Sequence, residues 1–145
     1  MLRLLVIEEN EKWRRAFKEN KQYLEDILRK DPLAAHGKAE VDIAASHIGV
    51  AQYLRENAYN LYLVSNYSEN GDRHNHVSQC KWLKVELGIL GQTISSMLVM
   101  GDSVDAIAEA FSQGIKTYIR DDSVPHKRNI RNLVRYIRYI VLPKL

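Results

Sequence analysis

The segment Tyr59-Asn60-Leu61-Tyr62-Leu63-Val64-Ser65-Asn66 constrains the fold more than any other: a short apolar run that ends abruptly in polar residues. An apolar run of strand length reads as the buried central strand of a parallel sheet. In open α/β sheets, ligands and chemistry gather beyond the carboxyl ends of the strands. Ser65, at the tip of this run, therefore occupies the place where function is expected.

Further strands and helices alternate around it. Leu4-Leu5-Val6-Ile7 is an unbroken apolar run followed by Glu8-Glu9-Asn10, and then by a helical pattern with Trp13, Phe17, Leu24, Ile27 and Leu28 on one face. Pro32 closes that helical region. After a loop over 31–38, Val41-Asp42-Ile43 alternates as a half-buried edge strand does. Ser46 is placed to cap a helix over about 47–57, ahead of the central strand. A polar loop over 65–76 leads to a third helical pattern, with Val77, Cys80, Leu83, Leu87 and Leu90 on one face, and Met97-Leu98-Val99-Met100 gives a fourth strand. Gly101-Asp102-Ser103 then supplies a turn and cap, Val104, Ile107, Ala108 and Phe111 form a helical stripe, and Gly114 stops the helix. A fifth strand is predicted over 116–119, and a last helix with Ile130, Leu133, Val134, Ile137 and Val141 inward ends near Pro143. Strands alternating with helices in this way predict one α/β domain over residues 1–145, with a five-stranded parallel sheet covered on both faces.

At 145 residues, with 46% hydrophobic and 27% charged, the chain is long enough for a sizeable core and unlike a disordered one. One cysteine, Cys80, excludes an internal disulfide, and the first apolar run breaks into acids too early for a signal peptide or membrane span. A cytoplasmic protein without a membrane segment is expected. The net charge of +3 is uneven: residues 114–145 carry eight Lys or Arg against two Asp. That end of the chain is suited to attract acidic partners.

Leu5-Val6-Ile7-Glu8-Glu9-Asn10-Glu11 resembles the first strand and acidic pair of response-regulator receiver (CheY-like) domains. The stretch over 41–64 is similar to that family's second strand, second helix and third strand, and Gly114-Ile115-Lys116-Thr117-Tyr118-Ile119 resembles its fifth-strand segment. The resemblance implies a flavodoxin-like, doubly wound sheet of order 2-1-3-4-5, with Tyr118 at the position of the family's rotameric switch. It also marks departures. Ser65 stands where the phosphoacceptor aspartate is expected, and Asp121, next to Arg120, falls at the register of the conserved lysine. The fourth-strand hydroxyl position falls at Met100 or Gly101. Receiver phosphorylation needs a carboxylate nucleophile, a Mg²⁺ ion held by further carboxylates, and a cation to offset the phosphoryl charge. A serine hydroxyl cannot form the acyl phosphate. The resemblance thus implies a pseudo-receiver without aspartyl phosphorylation, and no enzyme.

Glu8, Glu9 and Asp102 would form the acidic pocket, and their oxygens suit a hard cation such as Mg²⁺. Acids at strand ends are more often simply solvated, so no metal or other cofactor is expected. His74 and His76 in the polar loop, and Cys80 on an apolar helix face, read as exposed and core residues respectively. A rival reading comes from Leu63-Val64-Ser65-Asn66 and the stretch Leu98 to Asp105, which resemble two motifs of haloacid-dehalogenase-like, Mg-dependent phosphatases. That family's first motif needs two aspartates where this chain has Glu8 and Asn10. Glutamate sets its carboxylate one methylene further out, a poor substitute where attack geometry matters.

Arg128, Arg131, Arg135 and Arg138 recur at helical spacing along the last helix and form one stripe beside its apolar face. Such a stripe is either a solvated face or a docking surface. The resemblance implies that the fourth and fifth helices engage a protein partner or a second copy as a dimer. No helix-turn-helix or other reading module accompanies the basic helix, which ranks nucleic acid below a protein partner.

Overall fold

A computed structural model describes residues 1–45, 47–65 and 97–145. Its elements are β1 (Leu2–Ile7), α1 (Glu11–Glu19), α2 (Lys21–Leu28), β2 (Ala39–Ala44), α3 (His47–Glu56), β3 (Leu61–Ser65), β4 (Met97–Gly101), α4 (Val104–Ser112), β5 (Lys116–Ile119) and α5 (His126–Tyr136). A π-turn (Ile137–Val141) and a 3₁₀ turn (Leu142–Lys144) prolong α5. Ser46, the helix predicted over 77–90, Cys80, His74 and His76 lie outside the described residues. Among the described residues, no helix is long and apolar enough to cross a membrane.

The five strands form one sheet of order β2-β1-β3-β4-β5, and every neighbouring pair is parallel. Central position explains composition: all five residues of β3 and all five of β4 are buried, which is why neither run shows polar alternation. Strand β2 pairs only with β1 and keeps the alternation of an edge.

Because side chains alternate across a sheet, each strand feeds two cores. Leu4 and Val6, Leu61 and Leu63, and Leu98 and Met100 pack with Trp13, Phe17, Leu24, Leu28 and the inward face of α5. Leu5 and Ile7, Tyr62 and Val64, and Met97 and Val99 face the other way, against Val50 and Leu54 of α3 and Ile107 and Ala110 of α4. The sheet is therefore covered on both faces, as the alternating strands and helices predicted.

Two helices depart from their predicted form. The pattern from Trp13 to Leu28 predicts one helical stretch, but the chain breaks at Asn20, whose backbone leaves helical geometry (φ −106°, ψ 10°). The Asn20 side-chain amide donates to the Ala16 carbonyl at 2.8 Å, in the way a short polar side chain competes with the helical ladder. The stripe predicted for α4 is also out of phase. Ile107 is buried together with Ala110, where a small side chain suits close approach to the sheet, while Val104 and Phe111 are 68% and 72% exposed.

The link from β5 to α5 is held by Asn129, which is buried. Its Oδ1 accepts from the Asp121 backbone N–H at 2.9 Å, and its Nδ2 donates to the Asp121 carbonyl at 2.6 Å. These bonds fix the backbone directly after Arg120. Replacing Asn129 with Ala leaves both Asp121 groups to find other partners and is expected to cost about 1–3 kcal/mol of stability. A urea midpoint matching that of the wild type would contradict this account of the link.

Candidate functional site

The same alternation that builds the core under α1 and α5 continues past the strand ends. Leu4 and Val6 lead to Glu8, Leu61 and Leu63 lead to Ser65, and Tyr118, which packs on the same core, leads to Arg120. These three polar residues meet at the carboxyl edge of the sheet, and all are almost fully buried: Glu8 0%, Arg120 1% and Ser65 2% exposed. One guanidinium nitrogen of Arg120 donates to Glu8 Oε1 at 3.2 Å and the other donates to Ser65 Oγ at 3.0 Å. The Arg120 backbone N–H donates to the Gly101 carbonyl at 2.6 Å, tying the position to the end of β4.

Trp13 closes the site from above. Its place in the first turn of α1 is set by Asn10, whose side chain caps the helix by accepting from the Trp13 N–H at 3.0 Å. The Arg120 guanidinium carbon lies 4.1 Å from the centre of the Trp13 ring, close enough for a cation–π contact out of water. The His126 ring packs on Trp13, 4.2 Å between centroids and tilted by 34°. Arg14 donates to the backbone carbonyls of Glu8 and Glu9 at 3.3 and 3.2 Å, which fixes the turn after β1.

Burial pushes the Glu8 carboxyl above the usual carboxylate range, while the Arg120 charge and the bonds from Ser65 and Arg120 pull against it. Unlike Glu8, the two other acids of the predicted pocket, Glu9 and Asp102, are both exposed. Asp121 is exposed as well, and its Oδ1 accepts from the Ser123 N–H and hydroxyl at 2.9 and 2.6 Å, which holds its carboxyl below the usual range. The cation that reaches the strand tips thus comes from Arg120, one residue before the register position. The sequence carried a signal for this. Arg120 stands two positions after the inward-facing Tyr118, so strand parity puts both side chains on one face.

Receiver chemistry would ask this edge to hold Mg²⁺, and the residues present do not fit that ion. Among the described residues, no group of three or more His, Cys, Asp or Glu side chains lies together. The one buried carboxyl of the predicted acidic pocket already faces a guanidinium. Ser65 is likewise sealed and bonded to a cation, which is no arrangement for activating a hydroxyl.

Tyr118 is half-buried and packs on Tyr136 of α5, with ring centroids 5.2 Å apart. Burial raises its hydroxyl above the ordinary tyrosine range. Of the predicted arginine stripe, Arg128, Arg131 and Arg135 are exposed. Arg138 is more engaged: it donates to the Lys30 carbonyl at 3.2 Å and its guanidinium lies 5.5 Å from the centre of the Tyr139 ring.

The raised Glu8 carboxyl gives stability a particular pH dependence. In the unfolded chain glutamate ionises near pH 4.3; in the fold Glu8 keeps its proton to a higher pH. Across that window the folded state binds more protons, so Glu8's contribution is fully present below the unfolded value and is lost as pH rises through the folded one. The stability of the wild type minus that of Glu8→Gln, measured by urea unfolding over a pH series, is therefore expected to fall as pH rises from about 4.3. A difference that grows with pH would contradict the dominance of burial.

No protein-family model matches the sequence, and neither does any curated protein. Solved structures do match in shape. The signal receiver domain of a DNA-binding response regulator from Colwellia psychrerythraea 34H is 16% identical with a TM-score of 0.56, covering 93% of this chain and 99% of that one. A CheY-like response regulator receiver domain from Methylobacillus flagellatus is 11% identical with a TM-score of 0.57, covering 94% and 98%. A de novo designed Rossmann 2x3 fold protein matches at 10% identity and the same TM-score of 0.57, covering 94% and 89%. Similarity at this level concerns the path of the backbone and not the chemistry. In strand order, parallel pairing and helix placement, the chain has the flavodoxin-like fold of receiver domains.

Proposed function

We propose that this chain is a receiver-like signalling domain, a pseudo-receiver, that acts through protein–protein contacts and without aspartyl phosphorylation. One observation carries the reading: the buried Arg120 bonded to Glu8 and Ser65, where a phosphorylated receiver needs a carboxylate nucleophile and a metal. The edge of the sheet is held by its own internal cation, so its geometry does not wait on a phosphoryl group. Nothing in the strand order or among these structures favours the phosphatase reading, and Glu8 is too enclosed to act as its nucleophile.

The surface proposed for docking is formed by α4, β5 and α5. Phe111 stands out on it, beside a hollow of about 380 Å³ that Lys116, Thr117 and Tyr136 also line, and Arg128, Arg131 and Arg135 extend it along α5. An exposed aromatic flanked by arginines is the composition in which binding hot spots are enriched. Tyr118 and Tyr136 join this surface to the sheet edge, because Tyr118 packs on Tyr136 two residues before Arg120.

Two measurements test the reading. Incubation with Mg²⁺ and acetyl phosphate is expected to give no acyl phosphate, detected by intact mass or by trapping with hydroxylamine as the hydroxamate; stoichiometric acyl-phosphate formation would overturn it. Replacing Arg128, Arg131 and Arg135 with Glu, and leaving Arg138 on its Lys30 contact, is expected to abolish self-association or partner capture with the thermal midpoint unchanged. Full retention of binding would show that the stripe is only a solvated face.

A further inference from the structure

A cleft of about 570 Å³ opens between α1 and the first turn of α5. Lys12 and Arg15 line it from α1, Asn20 from the break before α2, and His126 and Lys127 from α5. Glu19 is the one acid on its wall. Arg15 is shared with Glu11 at 3.2 Å, an exposed pair that contributes little. Lys12 and Lys127 form no ion pair among the described residues. Pro125 opens α5 without any side chain capping its first turn.

From these observations we propose that the cleft is a binding site for a small anion carrying a phosphate group. Its volume lies within the range of small-molecule sites, and its cationic lining suits an anion. Cations from two separate helices converge on it, so a multiply charged anion can bridge them, where a single carboxylate would engage one at a time. This site does not rest on the signalling reading above.

A bound anion would also have a short physical route to the buried cation. His126, on the wall, stacks on Trp13, and Trp13 lies against the Arg120 guanidinium. An anion that orders Lys127 and His126 therefore bears on the ring that closes the candidate site. Trp13 serves as the reporter for the same reason.

The test uses the full chain with Trp82 replaced by Phe, which leaves Trp13 as the sole indole. Titration with inorganic pyrophosphate and, separately, with adenosine triphosphate is expected to change Trp13 fluorescence along a saturating curve, with potassium chloride at equal ionic strength as the control. Stronger binding of pyrophosphate would identify the ligand class as free inorganic phosphates, and stronger binding of the triphosphate would identify phosphate esters. Lys12→Ala with Lys127→Ala is expected to weaken either by at least about tenfold, since two charge-assisted bonds are lost. Lys144→Ala, in the turn at the far end of α5, is expected to leave affinity unchanged. If Trp82→Phe does not fold, amide shifts of His126 and Lys127 in the wild-type chain report the same titration. A response no larger than that to chloride, or one unchanged in the double lysine variant, would overturn the proposal.

Discussion

The organisation of this domain depends on one buried positive charge. A guanidinium placed at 1% exposure has lost its water, and the cost of that is met only by neighbours that accept its hydrogen bonds and offset its charge. Glu8, Ser65 and the face of Trp13 are those neighbours, and each comes from a different part of the chain. The end of β1, the end of β3, the start of α1 and the residue after β5 are thereby held at one point. Buried ion pairs add little net stability compared with an apolar core of the same shape, but losing one partner is expensive. The arrangement is better understood as fixing which strand tips meet, and in what register, than as a source of extra stability.

On the proposed reading, this constraint stands in place of receiver chemistry. A receiver's acidic edge is built to hold a metal ion and a phosphoryl group that come and go. In this chain a cation that cannot leave occupies the corresponding edge, bonded to the hydroxyl at the tip of the central strand. Glu9, Asp102 and Asp121, the other acids at the strand ends, are exposed. The fold likeness by itself could not separate these cases, since a designed protein with no signalling history matches as well as natural receivers do. The proposed separation rests on the side chains at the strand tips.

Much of the fold was legible because hydrophobic burial writes itself into sequence period. Leu4 to Ile7, Leu61 to Val64 and Met97 to Met100 are uninterrupted because both faces of β1, β3 and β4 are covered, and β2 alternates because it lies at the edge. What period alone did not reveal were choices made by single side chains. Asn20 breaks a helix through its own amide, and Ala110 in place of Phe111 faces the sheet because a small residue permits close packing. At the site, Ser65 and Glu8 were found at the strand tips, whereas the partnering cation was sought at Asp121 by register. Arg120 was missed because a charged residue after a strand normally turns to water, and only strand parity together with the waiting carboxyl draws it inward.

The most direct test of the central claim is a double-mutant cycle on Glu8→Gln and Arg120→Met, with stability measured by urea unfolding at neutral pH. If the two side chains hold each other in the buried edge of the sheet, replacing either one costs less stability once the other has been replaced. The coupling expected is at least about 1 kcal/mol, within the range for residues in contact. Additive losses, with coupling within about 0.3 kcal/mol of zero, would contradict the account.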